Sequence, residues 1–291
     1  MKSNKLILNL SETDNTKYVD YQELTYDFFK FPSGEQHIRL NLPKELDEII
    51  VILKYREDGN IIKLFLATDA LREFNPKMII HLYLPFIPFA RQDRVTEVGE
   101  CFSLKTFAKL LNAQNYDSVT VLDPHSDVAT ALINNVRVIT NHELVKWVGL
   151  EKSVKLVFPD AGSAKKVAKL VKFLNHGYDV VVCNKSRDTA TGDITGITVP
   201  MQFKLGCTYY IIDDICDGGK TFIEIAKVID REDPLSTINL IVTHGLFSKG
   251  VENLFLNKIQ NIYTTDSCKE PTVLAEHHSR FHLYTQRLPY E

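Results

Sequence analysis

The sequence predicts an α/β protein of two tandem domains, each a mainly parallel sheet flanked by helices. Short aliphatic and β-branched runs alternate with amphipathic stretches, the pattern of parallel strands joined by crossover helices. The alternation runs twice, with a break near Thr140–Glu151. The length of 291 residues lets two units each bury a core. The expected domains are 1–145 and 146–291.

The elements follow in order. Ile49–Leu53 is predicted as a strand, Asn60–Phe74 as a helix and Met78–Leu84 as a strand. Ser103–Gln114 is a helix with Leu104, Phe107, Ala108 and Leu111 on one face and Lys105 and Lys109 opposite. Ser118–Leu122 is the next strand. In the second half Lys155–Phe158 is strand-like. Ser163–Leu174 is a helix with Ala164, Val167, Ala168, Val171 and Leu174 in a stripe, and Gly177 is expected to cap it in a left-handed conformation. Strands are predicted at Asp179–Cys183, Thr208–Ile212, Thr237–Thr243 and Ile262–Thr264, and a mobile loop at Asp188–Pro200.

Bulk properties exclude several function classes. Net charge is −3, hydrophobic content 44% and aromatic content 10%, the profile of an ordinary globular protein. No basic face for nucleic acid is expected. The apolar runs Ile49–Leu53 and Leu82–Ala90 are too short or too broken by proline to span a bilayer. Met1-Lys2-Ser3-Asn4-Lys5 leads into no apolar core of a signal peptide. Cys101, Cys183, Cys207, Cys216 and Cys268 are odd in number and lack C-x-x-C spacing, which fits free thiols in a reducing compartment. A cytoplasmic location is the expectation.

The most informative stretch is Tyr209–Thr221. A β-branched and aromatic run leads to Asp213 and Asp214, then to Asp217-Gly218-Gly219-Lys220-Thr221 and a helix expected over Thr221–Ile229. Adjacent carboxylates at a strand end suit two neighbouring sugar hydroxyls, each accepting a charge-assisted hydrogen bond. Glycines let the backbone close on a phosphate, and a helix start faces an anion. Phosphorylated ribose is the ligand this chemistry implies. Gly219-Lys220-Thr221 is not the end of a Walker loop, because Asp214 stands where that motif needs its first glycine. The bland alternative is a strand-to-turn junction with exposed acids.

Further segments add to this one. Pro88–Arg94 sets arginines beside an amide and an acid, as a polyphosphate grip or a charged loop would. Asp123-Pro124-His125 and Pro159-Asp160-Ala161-Gly162 each follow a strand. Lys185 and Arg187, two apart in an extended chain, can converge on one group.

In their order, these segments resemble the ribose-phosphate pyrophosphokinases. The likeness is carried by Phe31-Pro32-Ser33-Gly34-Glu35, Ala90–Arg94, Asp123-Pro124-His125, Pro159–Gly162, Lys185-Ser186-Arg187, Asp213–Thr221 and Thr243–Ser248, over positions 28–265. The resemblance implies two phosphoribosyltransferase-like domains and transfer of the β,γ-diphosphate of ATP, with Mg²⁺, to the anomeric hydroxyl of a phosphorylated ribose. It implies that Lys185 and Arg187 are catalytic and that His125 and Asp160 hold the metal with the ATP phosphates. Arg91, Gln92, Asp93 and Arg94 would hold ATP. Ser33 would also bind ATP, and Phe31 and Glu35 would meet adenine from a neighbouring subunit, in a homo-oligomer (dimer or hexamer). Asp213, Asp214, Asp217, Gly218, Gly219, Lys220 and Thr221 would bind the sugar phosphate.

The departures from the family pattern are specific. Gly218 lacks the usual threonine hydroxyl, and Lys220 stands where glycine is expected. Val95–Phe102 lacks the family's basic loop, and Tyr290-Glu291 falls about where the family has a further strand and helix. Two other readings compete. One is a phosphoribosyltransferase, which would not need the ATP segments. The other is a non-catalytic regulatory subunit, against which the presence of Lys185, Arg187, His125 and Asp160 counts.

Overall fold

A computed structural model of the chain describes residues 5–11, 18, 20–160, 164–175, 177–187, 194–268, 273–285 and 288. The chain divides into two compact units. The first is Met1–Ile139 with Ser267–Lys269 and Arg287–Glu291; the second is Thr140–Asp266 with Glu270–Gln286. Among the described residues no helix is long and apolar enough to cross a membrane.

The first unit contains β1 (Lys5–Asn9), β2 (Tyr21–Glu23), β3 (Tyr26–Lys30), β4 (Gln36–Leu40), β5 (Glu48–Ile52), α1 (Gly59–Phe74), β6 (Ile79–Tyr83), α2 (Ser103–Asn112), β7 (Ser118–Leu122), α3 (Asp127–Leu132) and β8 (Val136–Ile139). Its main sheet has the order β2-β1-β5-β6-β7-β8, parallel throughout. The predicted face of α2 is buried, and Leu104, Phe107, Ala108 and Leu111 join Leu82, Val119 and Val121 in one core. β3 and β4 form a separate antiparallel hairpin. Its turn closes through the Phe31 amide to the Glu35 carbonyl (2.9 Å) and the Gly34 amide to the Phe31 carbonyl (2.8 Å), with Gly34 at φ 92°. That positive φ is open to glycine without steric cost.

The second unit contains α4 (His142–Val148), β9 (Lys155–Phe158), α5 (Ala164–Leu174), β10 (Asp179–Val182), β11 (Asn184–Arg187), β12 (Ile194–Thr198), β13 (Thr208–Cys216), α6 (Lys220–Glu232), β14 (Thr237–Gly245), α7 (Glu252–Leu256), β15 (Ile259–Thr265), a 3-10 helix (Ala275–Arg280) and β16 (Phe281–Tyr284). The sheet order is β10-β9-β13-β14-β15-β16, again parallel throughout. Ile211, Leu240 and Ile262 pack in one core, Ile212 and Ile241 in another. Burial on both faces explains the unbroken apolar stretches Ile211-Ile212 and Leu240-Ile241-Val242 in the middle of these strands.

Several expectations need correcting. Gly177 does not take a left-handed conformation; Asn175 does, at φ 50°. Asparagine tolerates that region through local hydrogen bonding, so the chain turns two residues earlier. On α5, Leu170 is buried and Ala168 exposed, which rotates the apolar stripe from its expected position. The expected mobile loop is in part a strand. Ile194–Thr198 pairs antiparallel with Asn184–Arg187, with a register shift that passes over Thr195; residues 188–193 lie outside the described residues. Helix α6 begins at Lys220, with Gly219 as its cap, so Thr221 lies in the first turn. Strand β13 continues past Ile212 to Cys216 because Asp213, Ile215 and Cys216 pair with Val242, His244 and Gly245 of β14.

Candidate active site

The carboxyl ends of the second unit's strands bring the site together. From β9 the chain goes to β10 on one side, and β13 takes the place on the other side. Ligands in open parallel sheets sit outside the carboxyl ends at such a switch point. Asp160 follows β9, and Asp213 and Asp214 lie on β13 beyond its pairing with β9, which stops at Ile211. The carboxyl of Asp213 is held well above the usual carboxylate range. Burial strips its solvation, and the charges of Asp214 and Asp160 add to the effect; the Asp214 amide and Lys166 oppose it. The amide of Asp214 donates to Oδ1 of Asp213 at 2.9 Å, and Nζ of Lys166 donates to Oδ2 of Asp214 at 3.0 Å. Burial also pushes the Cys183 thiol up to about 12, with the charge of Asp160 contributing.

The loop after β13 is braced from two sides. Gly219 sits at φ 78°, and a Cβ there would come within 2.9 Å of Cδ2 of Leu254. The turn after β14 clasps the strand end, since the amides of Leu246 (2.8 Å) and Phe247 (3.1 Å) both donate to the Cys216 carbonyl. Gly245 is required in that turn because a Cβ would meet the Phe247 ring at 2.1 Å. Replacing Gly219 by alanine is expected to cost about 1–2 kcal/mol from the left-handed backbone alone. Displacement of Leu254 would add to that cost. A thermal melt checks it: an unchanged Tm would mean the loop relaxes freely.

In the first unit, two segments that are distant in sequence meet. Asp93, 7% exposed, accepts from Nε of Arg94 at 2.8 Å. Its carboxyl is held below the usual range by that hydrogen bond, assisted by the charges of Arg94 and His125, against the opposing effect of burial. The Ala90–Arg94 and Asp123–Ser126 segments thus share one electrostatic environment. Arg91 and Gln92 are exposed beside it. Two non-glycine residues in the left-handed region, Phe89 (φ 62°) and Asp123 (φ 37°), lie in the segments after β6 and β7. Strained backbone of this kind collects at functional sites. On the hairpin, Phe31 is 48% exposed and lies edge-on to Phe29 at 5.4 Å, and Oγ of Ser33 donates to Glu35 at 2.7 Å.

No family model matches the chain. Its similarity to curated proteins is extensive, however. It is 27% identical over 259 residues to the ribose-phosphate pyrophosphokinase of Sulfurisphaera tokodaii, covering 87% of both chains. It is 29% identical over 241 residues to ribose-phosphate pyrophosphokinase 2 of Archaeoglobus fulgidus, covering 82% of this chain and 83% of that one. Over most of its length the chain is similar to ribose-phosphate pyrophosphokinases. The phosphoribosylpyrophosphate synthetase of Mycobacterium smegmatis superposes with a TM-score of 0.81 at 19% identity, over 97% of this chain and 94% of that one, which shows the shared fold.

Within that shared fold the structure groups the sequence-predicted residues as two sets. Asp160, Asp213, Asp214 and the loop Asp217–Thr221 belong to the second unit; Phe31, Ser33, Glu35, Arg91–Arg94 and His125 belong to the first. Lys185 and Arg187 fall on β11, in the two-stranded ribbon outside the main sheet. The sequence reading missed Lys166 and Lys249. Lys166 was one of four lysines off the α5 stripe, and nothing in spacing singles it out. Lys249 directly follows the Thr243–Ser248 motif, which was the available signal.

Proposed function

We propose that this protein is a diphosphokinase that transfers the β,γ-diphosphate of ATP to the anomeric 1-hydroxyl of a 5-phosphorylated ribose, releasing AMP. The observation that carries this reading is the acid cluster Asp160–Asp213–Asp214 at the sheet's switch point, directly before the glycine loop, in a chain similar to ribose-phosphate pyrophosphokinases. The 1-hydroxyl oxygen forms a bond to the β-phosphorus and gives up its proton. The bond from the β-phosphorus to the oxygen bridging to the α-phosphorus breaks, and AMP leaves with those electrons. Such chemistry needs positioning and charge neutralisation more than covalent help.

Each set of residues takes a part. Asp213 and Asp214 accept from the ribose hydroxyls, and Lys166 fixes the carboxylate of Asp214 while offsetting its charge. The loop Asp217–Thr221 encloses the 5-phosphate with backbone amides. Arg91, Gln92 and Arg94 hold ATP phosphates, with Asp93 fixing Arg94. Phe31 offers an exposed ring for adenine, near Ser33 and Glu35, and the family's mode of assembly would place it in a neighbouring subunit. Lys185 and Arg187 stabilise charge on the transferred group.

Mg²⁺ fits this chemistry. It binds through one or two carboxylates together with substrate phosphates and water, and it supplies charge neutralisation on the ATP oxygens. Among the described residues no three His, Cys, Asp or Glu side chains form a cage for it. Asp160, a hard oxygen donor whose charge already burdens Asp213, would hold it with the nucleotide.

The loop also favours a finer reading of the sugar. Gly218 opens space beside the 5-phosphate, and Lys220 at the first position of α6 adds a flexible point charge. Both suit a longer anionic 5′ substituent such as the diphosphate of ADP-ribose, whose product would be ADP-ribose 1-diphosphate. AMP release from ATP is measured with ribose 5-phosphate and with ADP-ribose. Turnover with either supports the diphosphokinase reading, and absence of AMP with both removes it. A preference for ribose 5-phosphate of about a hundredfold in kcat/KM, ~2.7 kcal/mol, removes the extended sugar.

A further inference from the structure

The space left by Gly218 is bordered by a residue from another element. A Cβ at Gly218 would lie 3.4 Å from Cδ, 3.5 Å from Cε and 3.7 Å from Cγ of Lys249. The lysine stem therefore runs alongside the glycine at ordinary packing distance, where a larger side chain would extend. Lys249 is exposed and has no ion-pair partner among the described residues. Its place is fixed by the backbone: the Gly250 amide closes the turn on the Phe247 carbonyl at 2.8 Å, and the Phe247 amide is anchored to Cys216, the residue before the loop. Two lysines from different elements thus border one loop, Lys220 on α6 and Lys249 on the turn after β14.

We infer that Lys249 is a specificity-determining residue that recognises a second phosphoryl group on the 5′ substituent of the sugar. The inference rests on the proposed reading of Asp213–Thr221 as the sugar-phosphate loop. A hydroxyl on residue 218 would be a short donor, reaching only the first phosphate. The stem of Lys249 runs beside that position through Cγ, Cδ and Cε, and its longer reach would let the ammonium meet a group beyond the first phosphate. An ammonium there presents three donors on a flexible stem, which suits a phosphoryl group whose position is not tightly fixed. The loop has exchanged a near, neutral donor for a farther, charged one. That exchange adds little for a monophosphate and more for a diphosphate.

The test uses the full chain and two probes, ribose 5-phosphate and ADP-ribose, with dissociation constants measured by titration calorimetry. Lys249→Ala is expected to weaken ADP-ribose binding about tenfold or more, the loss of a charge-assisted hydrogen bond. Its effect on ribose 5-phosphate is expected to be several times smaller. Lys249→Arg should keep the selectivity, and Gly218→Thr should shift it in the same direction as Lys249→Ala by crowding the stem. Equal losses for both probes, or no loss for either, overturn the inference. Asp213→Asn separates this from the underlying reading. If that change weakens both probes while Lys249→Ala is neutral, only the role of Lys249 falls; if the wild type binds neither probe, both fall.

Discussion

Replacing Lys185 or Arg187 by alanine is expected to lower kcat about a thousandfold, as loss of a group aimed at transition-state charge does in other transfer enzymes. KM should change far less, because an interaction made only in the transition state leaves ground-state binding intact. Both residues lie on β11, which is outside the main sheet and, among the described residues, pairs with β12 alone. A two-stranded ribbon has marginal stability of its own, so neither alanine variant should unfold the sheet cores. Circular dichroism and Tm should therefore stay near wild type while turnover collapses. Lys185→Arg keeps the charge and should recover part of the rate. Near-wild-type kcat in both alanine variants would remove the ribbon from the mechanism, and a matching rise in KM would make the two residues ground-state binders.

How much of this was legible in the sequence depends on which force sets each feature. Strands buried on both faces, such as Ser118–Leu122 and Lys155–Phe158, are short runs rich in β-branched and apolar residues, and their bounds agree with the structure. β2 and the β3–β4 hairpin carry no such run. Phe28 and Phe29 alternate with charged and exposed neighbours, so the hairpin emerges only from pairing. The same holds for β12, where the Thr, Gly and Asp residues of the 188–200 segment suggest a loop and pairing with β11 makes a strand. At the site, the acid pair and glycines were visible because the chemistry demands those residue types at fixed spacing. Lys166 and Lys249 were not singled out. Their place at the site comes from tertiary contacts, one to Asp214 across 48 positions and the other beside Gly218.

Asp213→Asn is expected to stabilise the ligand-free protein at neutral pH while impairing the reaction. The carboxyl is raised above its ordinary value by burial and by the charges of Asp214 and Asp160. A raised acid binds its proton more tightly in the folded chain than in the unfolded one. Its contribution to stability is complete below the ordinary aspartate value, about 3.9, and is lost as pH rises through the raised folded value. Above the ordinary aspartate value the wild type therefore carries the cost of a buried acid crowded by like charges, and asparagine relieves it. The amide Oδ1 of asparagine can still accept from the Asp214 amide, so the local geometry survives. Tm should rise by about 2–4 °C at pH 7, the shift given by roughly 1 kcal/mol in a domain of 150–250 residues. The gain should shrink as pH is lowered toward 4, where the wild-type carboxyl is protonated. Meanwhile kcat/KM should fall about tenfold to a hundredfold, since one charge-assisted hydrogen bond of ~1.5–3 kcal/mol to a sugar hydroxyl is lost. Melting curves of both proteins across this pH range decide the matter. A lower Tm for the variant at pH 7 would mean that Asp213 is a structural acid held by the fold. A higher Tm with lost activity marks it as an acid kept for its ligand at the expense of stability.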